Sequence, residues 1–496
     1  MSTLDQADVD VMKATKTCVA AQRFQYGYLN DDINDFGQID YTLTNKIPKS
    51  LQQAIADGKK ILVLINPPYA EAGNRSNNSI LDDIDNKAGV AKTKLSETAM
   101  DGYGKASNEL FVQFLVRIRN EIPTASIAMF STLKYVVSPN FEKFRDKWNA
   151  KYLGGFAVHN KAFEGLNGKF PIGFLIWATN QKAKNKIAIK EISVDVLDKK
   201  ATPIGEKIFF NLPNSMFLNG WIKRPKANTT EVIALKNAVS PSTAKIKLPT
   251  WSEDAIAYML CDSNDMQHAE QRTTIFSSVY KVGNDGGFYV TSENLLEAAI
   301  IFSARRLIAP TWLNDRDQFL QPDKPLTEAF KSDCLIWMLF NRCNRTASAN
   351  DLQWNGKQWS IVNHFIPFTE EEVGSPDRFE SDFMVQYLAK TSEVFKTSEV
   401  LPSKTSGGFS QEANQVLAEG KKLWQAYFAH TDVHTVRDEL KLNRADVGWY
   451  QIRKALQARN ASGDFAPVNF KPFEEAYKAL TSKLQPLVYE LGFLKL

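Results

Sequence analysis

The chain has 496 residues, of which 60 are Lys or Arg and 56 are Asp or Glu, so its formal net charge is +4. Hydrophobic residues make up 44% and charged residues 23%, which excludes wholesale disorder, a collagen helix and a coiled coil. At roughly 100–200 residues per domain, this length predicts two to four domains. The nearly neutral charge allows a nucleic-acid partner only through local basic patches.

Several classes of protein are excluded by what the sequence lacks. No apolar run approaches the roughly 20 residues that a membrane span needs, and the first residues do not resemble a secretory signal. The four cysteines are widely separated and form no C-x-x-C pair, so neither a zinc site nor a disulfide framework is expected. We therefore expect a cytoplasmic protein that holds no metal and does not insert into a membrane.

Residues 1–200 alternate short apolar strands with amphipathic helices. Residues 61–65 (ILVLI) are five consecutive β-formers between turn residues, which predicts a strand buried on both faces, as in a parallel sheet. A helix is predicted at 108–120 and a strand at 126–131. Ser138 and Pro139 predict the start of the next helix. Further strands are predicted at 154–160, 172–179 and 186–197. This order predicts an α/β sheet with an antiparallel end.

The rest of the chain is less regular. Residues 201–400 read as a mixed α+β region, and the Ser- and Gly-rich residues 402–408 are the best candidate for a linker. Residues 411–460 and 471–491 read as helical, so that 410–496 form a helical C-terminal module.

The sequence Asn66-Pro67-Pro68-Tyr69 directly follows the apolar strand. In open α/β sheets, ligands bind at the carboxyl ends of the strands. An exocyclic amine that attacks a methyl group must lose a proton, and an Asn side-chain oxygen and the Pro67 carbonyl can both accept its N–H bonds. The prolines stiffen the turn, and Tyr69 offers a flat face on which a flipped base can stack. These four residues are the predicted catalytic residues.

A strand followed by NPPY resembles motif IV of the adenine-N6 DNA methyltransferases, which depend on S-adenosyl-L-methionine. Residues 109–115 look like motif V, 126–132 like motif VI, and 163–177 like motif VIII of that family. In the family, an aromatic residue of motif VIII packs against the flipped adenine opposite the motif IV aromatic. Phe163 is the better match to that residue and Phe170 the second. The resemblance covers about residues 1–200.

Upstream, the resemblance indicates cofactor-binding residues and one gap. Residues 2–5 look like the end of motif II, whose acidic residue, here Asp5, holds the ribose of the cofactor. Residues 24–32 look like motif III, but Gly27 stands where the family often has Asp, so Asp31 or Asp32 is expected to take its place. The glycine-rich motif I has no counterpart. The resemblance therefore implies an incomplete Rossmann-like methyltransferase sheet, and a companion polypeptide or a longer chain that carries motif I.

The leading hypothesis is an adenine-specific DNA methyltransferase, or its C-terminal part, from a restriction–modification or solitary modification system. Residues 201–400 would then be a target-recognition region for double-stranded DNA, in which Lys223, Arg224 and Lys226 contact phosphates. Two alternatives stay open. The chain could methylate a glutamine amide or ribosomal RNA, or it could be a noncatalytic DNA-binding or assembly subunit.

Overall fold

The computed structural model describes most of the chain. These are residues 1–68, 92–164, 166, 170–179, 189–213, 216–227, 232, 251–261, 273–279, 287–309, 311–313, 319–354, 356–397, 409–429, 446–457 and 468–495. They form two compact units. The first consists of Met1–Pro213 together with Thr311–Leu313, and nearly all the other described residues belong to the second.

The first unit alternates strands and helices. Its strands are β1 (Ser2–Thr3), β2 (Phe24–Gln25), β3 (Ile61–Ile65), β4 (Ala125–Thr132), β5 (Lys151–His159), β6 (Pro171–Ala178), β7 (Glu191–Leu197) and β8 (Pro203–Phe210). Its helices are α1 (Gln6–Ala14), α2 (Lys49–Ala56), α3 (Lys94–Thr98), α4 (Leu110–Glu121), α5 (Lys134–Val137) and α6 (Glu142–Trp148), with 3-10 turns at Gly104–Asn108, Pro139–Phe141 and Asn160–Ala162. The predicted strand 61–65, helix 108–120 and strand 126–131 are confirmed, with ends that shift by one or two residues.

Six of these strands form one mixed sheet, in the order β3-β4-β6-β5-β7-β8. β3 and β4 are parallel, β6 is antiparallel to both β4 and β5, and β7 and β8 close the sheet as an antiparallel pair. β1 and β2 pair in parallel in a separate two-stranded sheet. The α/β class predicted from the sequence is therefore confirmed. Antiparallel pairs follow the parallel pair β3–β4 along the chain, and β5 and β7 form a second parallel pair.

Helix α4 covers one face of the six-stranded sheet. Its apolar stripe, which includes Phe111 and Leu115, shares a buried core with Ile127 and Met129 of β4. Trp177 of β6 belongs to the same core and donates its indole N–H to the Tyr135 hydroxyl at 2.9 Å. Pro123 lies two residues after the last residue of the helix, as expected from the missing amide hydrogen of proline.

The strand at 61–65 was predicted to be buried on both faces, but its face opposite α4 is exposed. Leu62 and Leu64 are 68% and 71% exposed, whereas Ile61, Val63 and Ile65 are half-buried. β3 is an end strand, and within the described part of the chain no strand pairs with its outer edge. The prediction of two buried faces was wrong because burial depends on what packs against a strand and not on the strand's own apolar pattern.

The second unit combines a small sheet with helices. Its strands are β9 (Ala255–Leu260), β10 (Thr274–Phe276), β11 (Phe288–Thr291), β12 (Asn344–Arg345), β13 (Ala349–Trp354) and β14 (Lys357–Ile361). Its helices are α7 (Leu295–Leu307), α8 (Glu328–Leu339), α9 (Glu370–Val373), α10 (Phe383–Thr397), α11 (Gln411–Ala429), α12 (Trp449–Gln457) and α13 (Lys471–Glu490). Strands β11-β9-β10-β12 form one sheet, and β13 and β14 form a hairpin.

The helical C-terminal residues pack into the core of this second unit. Trp424 of α11 stacks on Trp449 of α12 with ring centroids 5.6 Å apart, and Phe340 lies edge-on to both rings. Within the predicted helical range 411–460, the structure shows α11 and α12, while the described residues 446–448 are not helical, and the predicted helix 471–491 is present as α13. The candidate linker 402–408 lies outside the described residues. Among the described helices, none is long and apolar enough to cross a bilayer.

Candidate active site

The predicted catalytic residues lie at the carboxyl edge of the parallel strands β3 and β4. Ile65, the last residue of β3, pairs with Met129, so Asn66 lies beside the C-terminal part of β4, which continues to Thr132. Asn66 is exposed and continues the alternation in which Leu62 and Leu64 are also exposed. Pro67 is buried and Pro68 is exposed, whereas Tyr69 lies outside the described residues. The side chain of Asn66 is therefore accessible at the sheet edge.

An aromatic cluster occupies the neighbouring position on β4. Phe130 directly follows Met129 and is half-buried. Its ring centroid lies 4.7 Å from that of Phe174 on β6 and 5.4 Å from that of Phe163, to which it is edge-on. The structure thus brings the predicted base-stacking residue Phe163 to the strand that adjoins the Asn66 edge. Sequence reasoning missed Phe130, although its place near the end of a predicted strand was a signal.

A buried asparagine holds the segment that carries both candidate stacking residues. Asn160 has no exposed surface, and its backbone carbonyl accepts a hydrogen bond from the Phe163 amide at 3.0 Å. The Asn160 side-chain oxygen accepts from the Phe170 amide at 3.2 Å, and its side-chain nitrogen donates to the Leu166 carbonyl at 3.4 Å. The backbone and side chain of Asn160 together therefore hold the two ends of the segment. Phe163 and Phe170 are both half-buried, so each keeps some ring surface accessible.

The candidate cofactor residues cluster at the edge of the two-stranded sheet. Asp5 follows β1 and caps α1, because its side chain accepts from the Ala7 amide at 2.9 Å. The segment after β2 is bound to the same edge, since the Tyr26 amide donates to the Thr3 carbonyl at 2.8 Å and the Gln25 side chain donates to the Leu4 carbonyl at 2.9 Å. Asp5 and the segment 26–32 consequently lie side by side.

Asp31 occupies the space that a side chain at residue 27 would fill. Its carboxylate accepts from the Gly27 amide at 2.9 Å, and a Cβ added to Gly27 would lie 3.3 Å from Asp31 Oδ1. Lys46 donates to the same carboxylate at 2.8 Å. Burial raises the pKa of Asp31, but the hydrogen bonds from Lys46 and Gly27 outweigh it and hold the pKa below its ordinary value. The charged carboxylate of Asp31 is thus held beside Gly27, the position at which the sequence has no acidic side chain.

Asp32 has a different environment from its neighbour. It is 1% exposed, adopts a left-handed backbone with φ of 56°, and its Oδ1 accepts from the amide and the hydroxyl of Thr44, both at 2.8 Å. These contacts tie the segment 26–32 to the following turn. Of the two candidate carboxylates, Asp31 is the one that retains partial exposure.

The predicted phosphate-contacting residues belong to the second unit. Lys223, Arg224 and Lys226 are all exposed on one short segment. Lys223 pairs with Glu293 at 3.3 Å, and both of those side chains are more than three-quarters exposed. The Arg224 guanidinium lies 5.2 Å from the ring centroid of Phe288. Exposed cations of this kind are accessible to an anionic partner.

Metal ligands are not grouped in the part of the chain that the structure describes. No set of three or more His, Cys, Asp and Glu side chains there is arranged to hold a metal ion.

Comparisons with known proteins provide little further information. No family model matches the sequence, and no curated protein matches it. Among solved structures, a cryo-electron microscopy structure of a DrdV–DNA complex is similar at 12% identity and a TM-score of 0.23, over 50% of this chain and 27% of that one. The chain therefore spans about a quarter of that structure's length. A similarity of this size carries no functional argument.

Proposed function

We propose that the chain is an adenine-N6 DNA methyltransferase, or the part of one that carries the catalytic turn and the target-recognition region. One observation supports the proposal above all. The turn Asn66-Pro67-Pro68 follows a strand whose parallel neighbour β4 carries Phe130 directly after the partner of Ile65, and Phe130 contacts Phe163 with ring centroids 5.4 Å apart. Hydrogen-bond acceptors for an amine and an aromatic ring for a base are thereby grouped at one sheet edge.

The chain's own residues would act on the amine as follows. The Asn66 side-chain oxygen and the Pro67 carbonyl accept the two N–H bonds of adenine N6, which favours a tetrahedral nitrogen whose lone pair is free to attack. Phe163 packs against the extruded base, with Phe170 as the second candidate, and Asn160 keeps both residues in place. Tyr69 is proposed to stack on the opposite face of the base.

S-adenosyl-L-methionine is the proposed cofactor, and when bound it supplies a methyl group on a positively charged sulfur. The residues present fit its ribose, because Asp5 and the charged Asp31 place carboxylate acceptors at one edge of the β1–β2 sheet. Ribose hydroxyls donate to such carboxylates. Asp32 is proposed to act mainly by holding the segment, since it is buried and its Oδ1 accepts two hydrogen bonds from Thr44, whereas Asp31 keeps partial exposure.

Double-stranded DNA is the proposed substrate, and the second unit is proposed to recognise its sequence. Lys223, Arg224 and Lys226 are exposed and would contact phosphates, while other residues of the unit would read base edges. A restriction–modification or solitary modification system is the proposed setting.

The test is methylation of duplex DNA with radiolabelled cofactor, followed by mass analysis of the modified nucleoside. Asn66→Ala should lower kcat by at least about 100-fold, because it removes an acceptor that acts on the reacting amine. Asn140→Ala is the matched control, since Asn140 is an exposed asparagine on the 3-10 turn Pro139–Phe141 of the same unit. A near-wild-type kcat in Asn66→Ala would refute this account of the site.

The same assay separates the alternative functions. If the label appears in a protein glutamine or in a base of ribosomal RNA and not in DNA, the chain is a methyltransferase with a different substrate. DNA binding without measurable cofactor binding by calorimetry would favour a noncatalytic DNA-binding or assembly subunit. Detection of N6-methyladenine in the duplex is the result that the proposal requires.

A further inference from the structure

Arg117 of helix α4 is a buried cation that bonds to the candidate cofactor segment. Its side chain has no exposed surface. Nη1 donates to the backbone carbonyls of Tyr28 and, at 2.9 Å, of Asp31, while Nη2 donates to the Tyr26 hydroxyl at 2.5 Å. The guanidinium carbon also lies 4.3 Å from the centroid of the Tyr28 ring. One side chain thus contacts the segment 26–32 at three residues.

A carboxylate on the same helix holds this guanidinium. Glu121, one turn later, accepts from Arg117 Nε at 3.1 Å and from the Tyr41 hydroxyl at 2.8 Å. Burial lowers the pKa of Arg117, but the charge of Glu121 together with Tyr28 and Tyr26 outweighs it and leaves the pKa above its ordinary value. The planar guanidinium has five donors in a fixed arrangement, whereas a lysine ammonium could not reach the two carbonyls, the hydroxyl and the carboxylate together.

Helix α4 also supports the strands that lead to the catalytic turn. Its Phe111 and Leu115 share a core with Ile127 and Met129 of β4, and Met129 is paired with the last residue of β3. Arg117 therefore connects the segment that presents Asp31 to the helix beneath the Asn66 edge. A second contact joins the segment to this helix: the Tyr28 ring stacks on Phe114 of α4 with centroids 5.5 Å apart.

We infer that Arg117 is a positioning residue for the cofactor: its guanidinium holds segment 26–32 at a fixed distance from the catalytic turn. It does not contact substrate or cofactor, and it acts through the carbonyls of Tyr28 and Asp31. This inference rests on the proposed function, because it assumes that segment 26–32 binds S-adenosyl-L-methionine. It extends that function to a residue more than 80 positions away from the segment that it holds.

The experiment compares Arg117→Lys with a matched control, Arg145→Lys. Arg145 is also buried in the first unit, and its Nη1 likewise donates to two backbone carbonyls, those of Tyr135 at 3.2 Å and Ser138 at 2.7 Å. Calorimetry with S-adenosylmethionine and hydrogen-exchange mass spectrometry of peptides that span residues 24–34 are measured for both variants. The second readout does not depend on activity.

Arg117→Lys should raise the Kd for S-adenosylmethionine roughly 10- to 100-fold, since a displacement of about 1 Å of a positioning element has effects of that size. Amides of the segment should exchange at least about tenfold faster, and the KM for DNA should stay within about twofold. Arg145→Lys should change neither the Kd nor exchange in the segment. If Arg117→Lys does not fold, Tyr26→Phe removes one guanidinium acceptor and should raise the Kd about threefold.

The outcomes distinguish this inference from the proposed function. If the wild-type chain binds the cofactor and Arg117→Lys binds it equally well, the inference is refuted and the proposed function stands. The inference is also refuted if Arg145→Lys weakens binding as much as Arg117→Lys, because the effect would then be general destabilisation. If the wild-type chain binds no cofactor, the proposed function fails and the inference fails with it.

Discussion

Two leucines on opposite faces of the same sheet should differ sharply in their contribution to stability. Leu175 of β6 has no exposed surface and belongs to the core beneath α4, whereas Leu64 of β3 is 71% exposed. Replacing each by alanine removes the same atoms from the same kind of element. The difference between the two variants therefore measures whether the β3 face is covered in solution.

The magnitudes follow from burial. Leu175→Ala removes fully buried methyl groups and leaves a cavity, which costs about 2–5 kcal/mol. Complete burial of a leucine side chain contributes about 1.5–3 kcal/mol, and Leu64 has less than a third of its surface removed from water, so Leu64→Ala should cost about 0.5–1 kcal/mol. Each substitution shortens a strand side chain in the same way, so strand propensity largely cancels in the comparison.

The assay should resolve the first unit from the second, since two compact units need not unfold together. Hydrogen exchange in graded urea, followed by mass spectrometry of peptides from β4 and β6, gives a local free energy of unfolding for each variant. A loss of 2 kcal/mol or more in Leu64→Ala would refute the reasoning, because it would show that the β3 face is covered in solution. The same face extends to Asn66, so this result would also alter the description of the candidate site.

Two further predictions concern single side chains. The folded pKa of Asp31 lies below its ordinary value, so its interaction with Lys46 and Gly27 should stabilise the first unit above the unfolded pKa of about 4 and be lost as the pH falls through the folded value. Asp31→Asn should remove that part of the pH dependence of the urea midpoint, and an unchanged profile between pH 2 and 6 would contradict the assignment. Among the four cysteines, Cys18 is exposed and the other three are buried, and burial raises the pKa of the Cys334 thiol. Iodoacetamide should alkylate Cys18 at least about tenfold faster than the others in the native protein, and comparable labelling of Cys334 by mass spectrometry would show that its helix opens readily.

Local pattern was sufficient for the elements that carry the candidate site. The strand at residues 61–65, the helix at 108–120 and the strand at 126–131 are present with small changes at their ends. Each is encoded by neighbouring residues, through a run of β-formers or an apolar stripe of helical period. The sequence also placed Asn66 directly after a strand, because a turn rich in proline cannot continue a strand.

Contacts between distant residues were decided only by the tertiary structure. Arg117 bonds to a segment more than 80 residues earlier, Asn160 holds both Phe163 and Phe170, and Phe130 lies against Phe163. No local pattern distinguishes a buried arginine that binds carbonyls from an exposed one on a helix. Its environment is set by which segments pack around it.

The exposure of Leu62 and Leu64 shows most clearly that local sequence pattern does not predict the tertiary environment of a residue. The sequence by itself determined that residues 61–65 form a strand followed by Asn66, since strand formation depends on neighbouring residues and the turn that ends them. It could not determine that one face of this strand remains exposed, because burial is a property of the partners that a fold supplies. The tertiary structure alone decided which face of β3 is exposed among the described residues, and with it which side of the candidate site faces solvent.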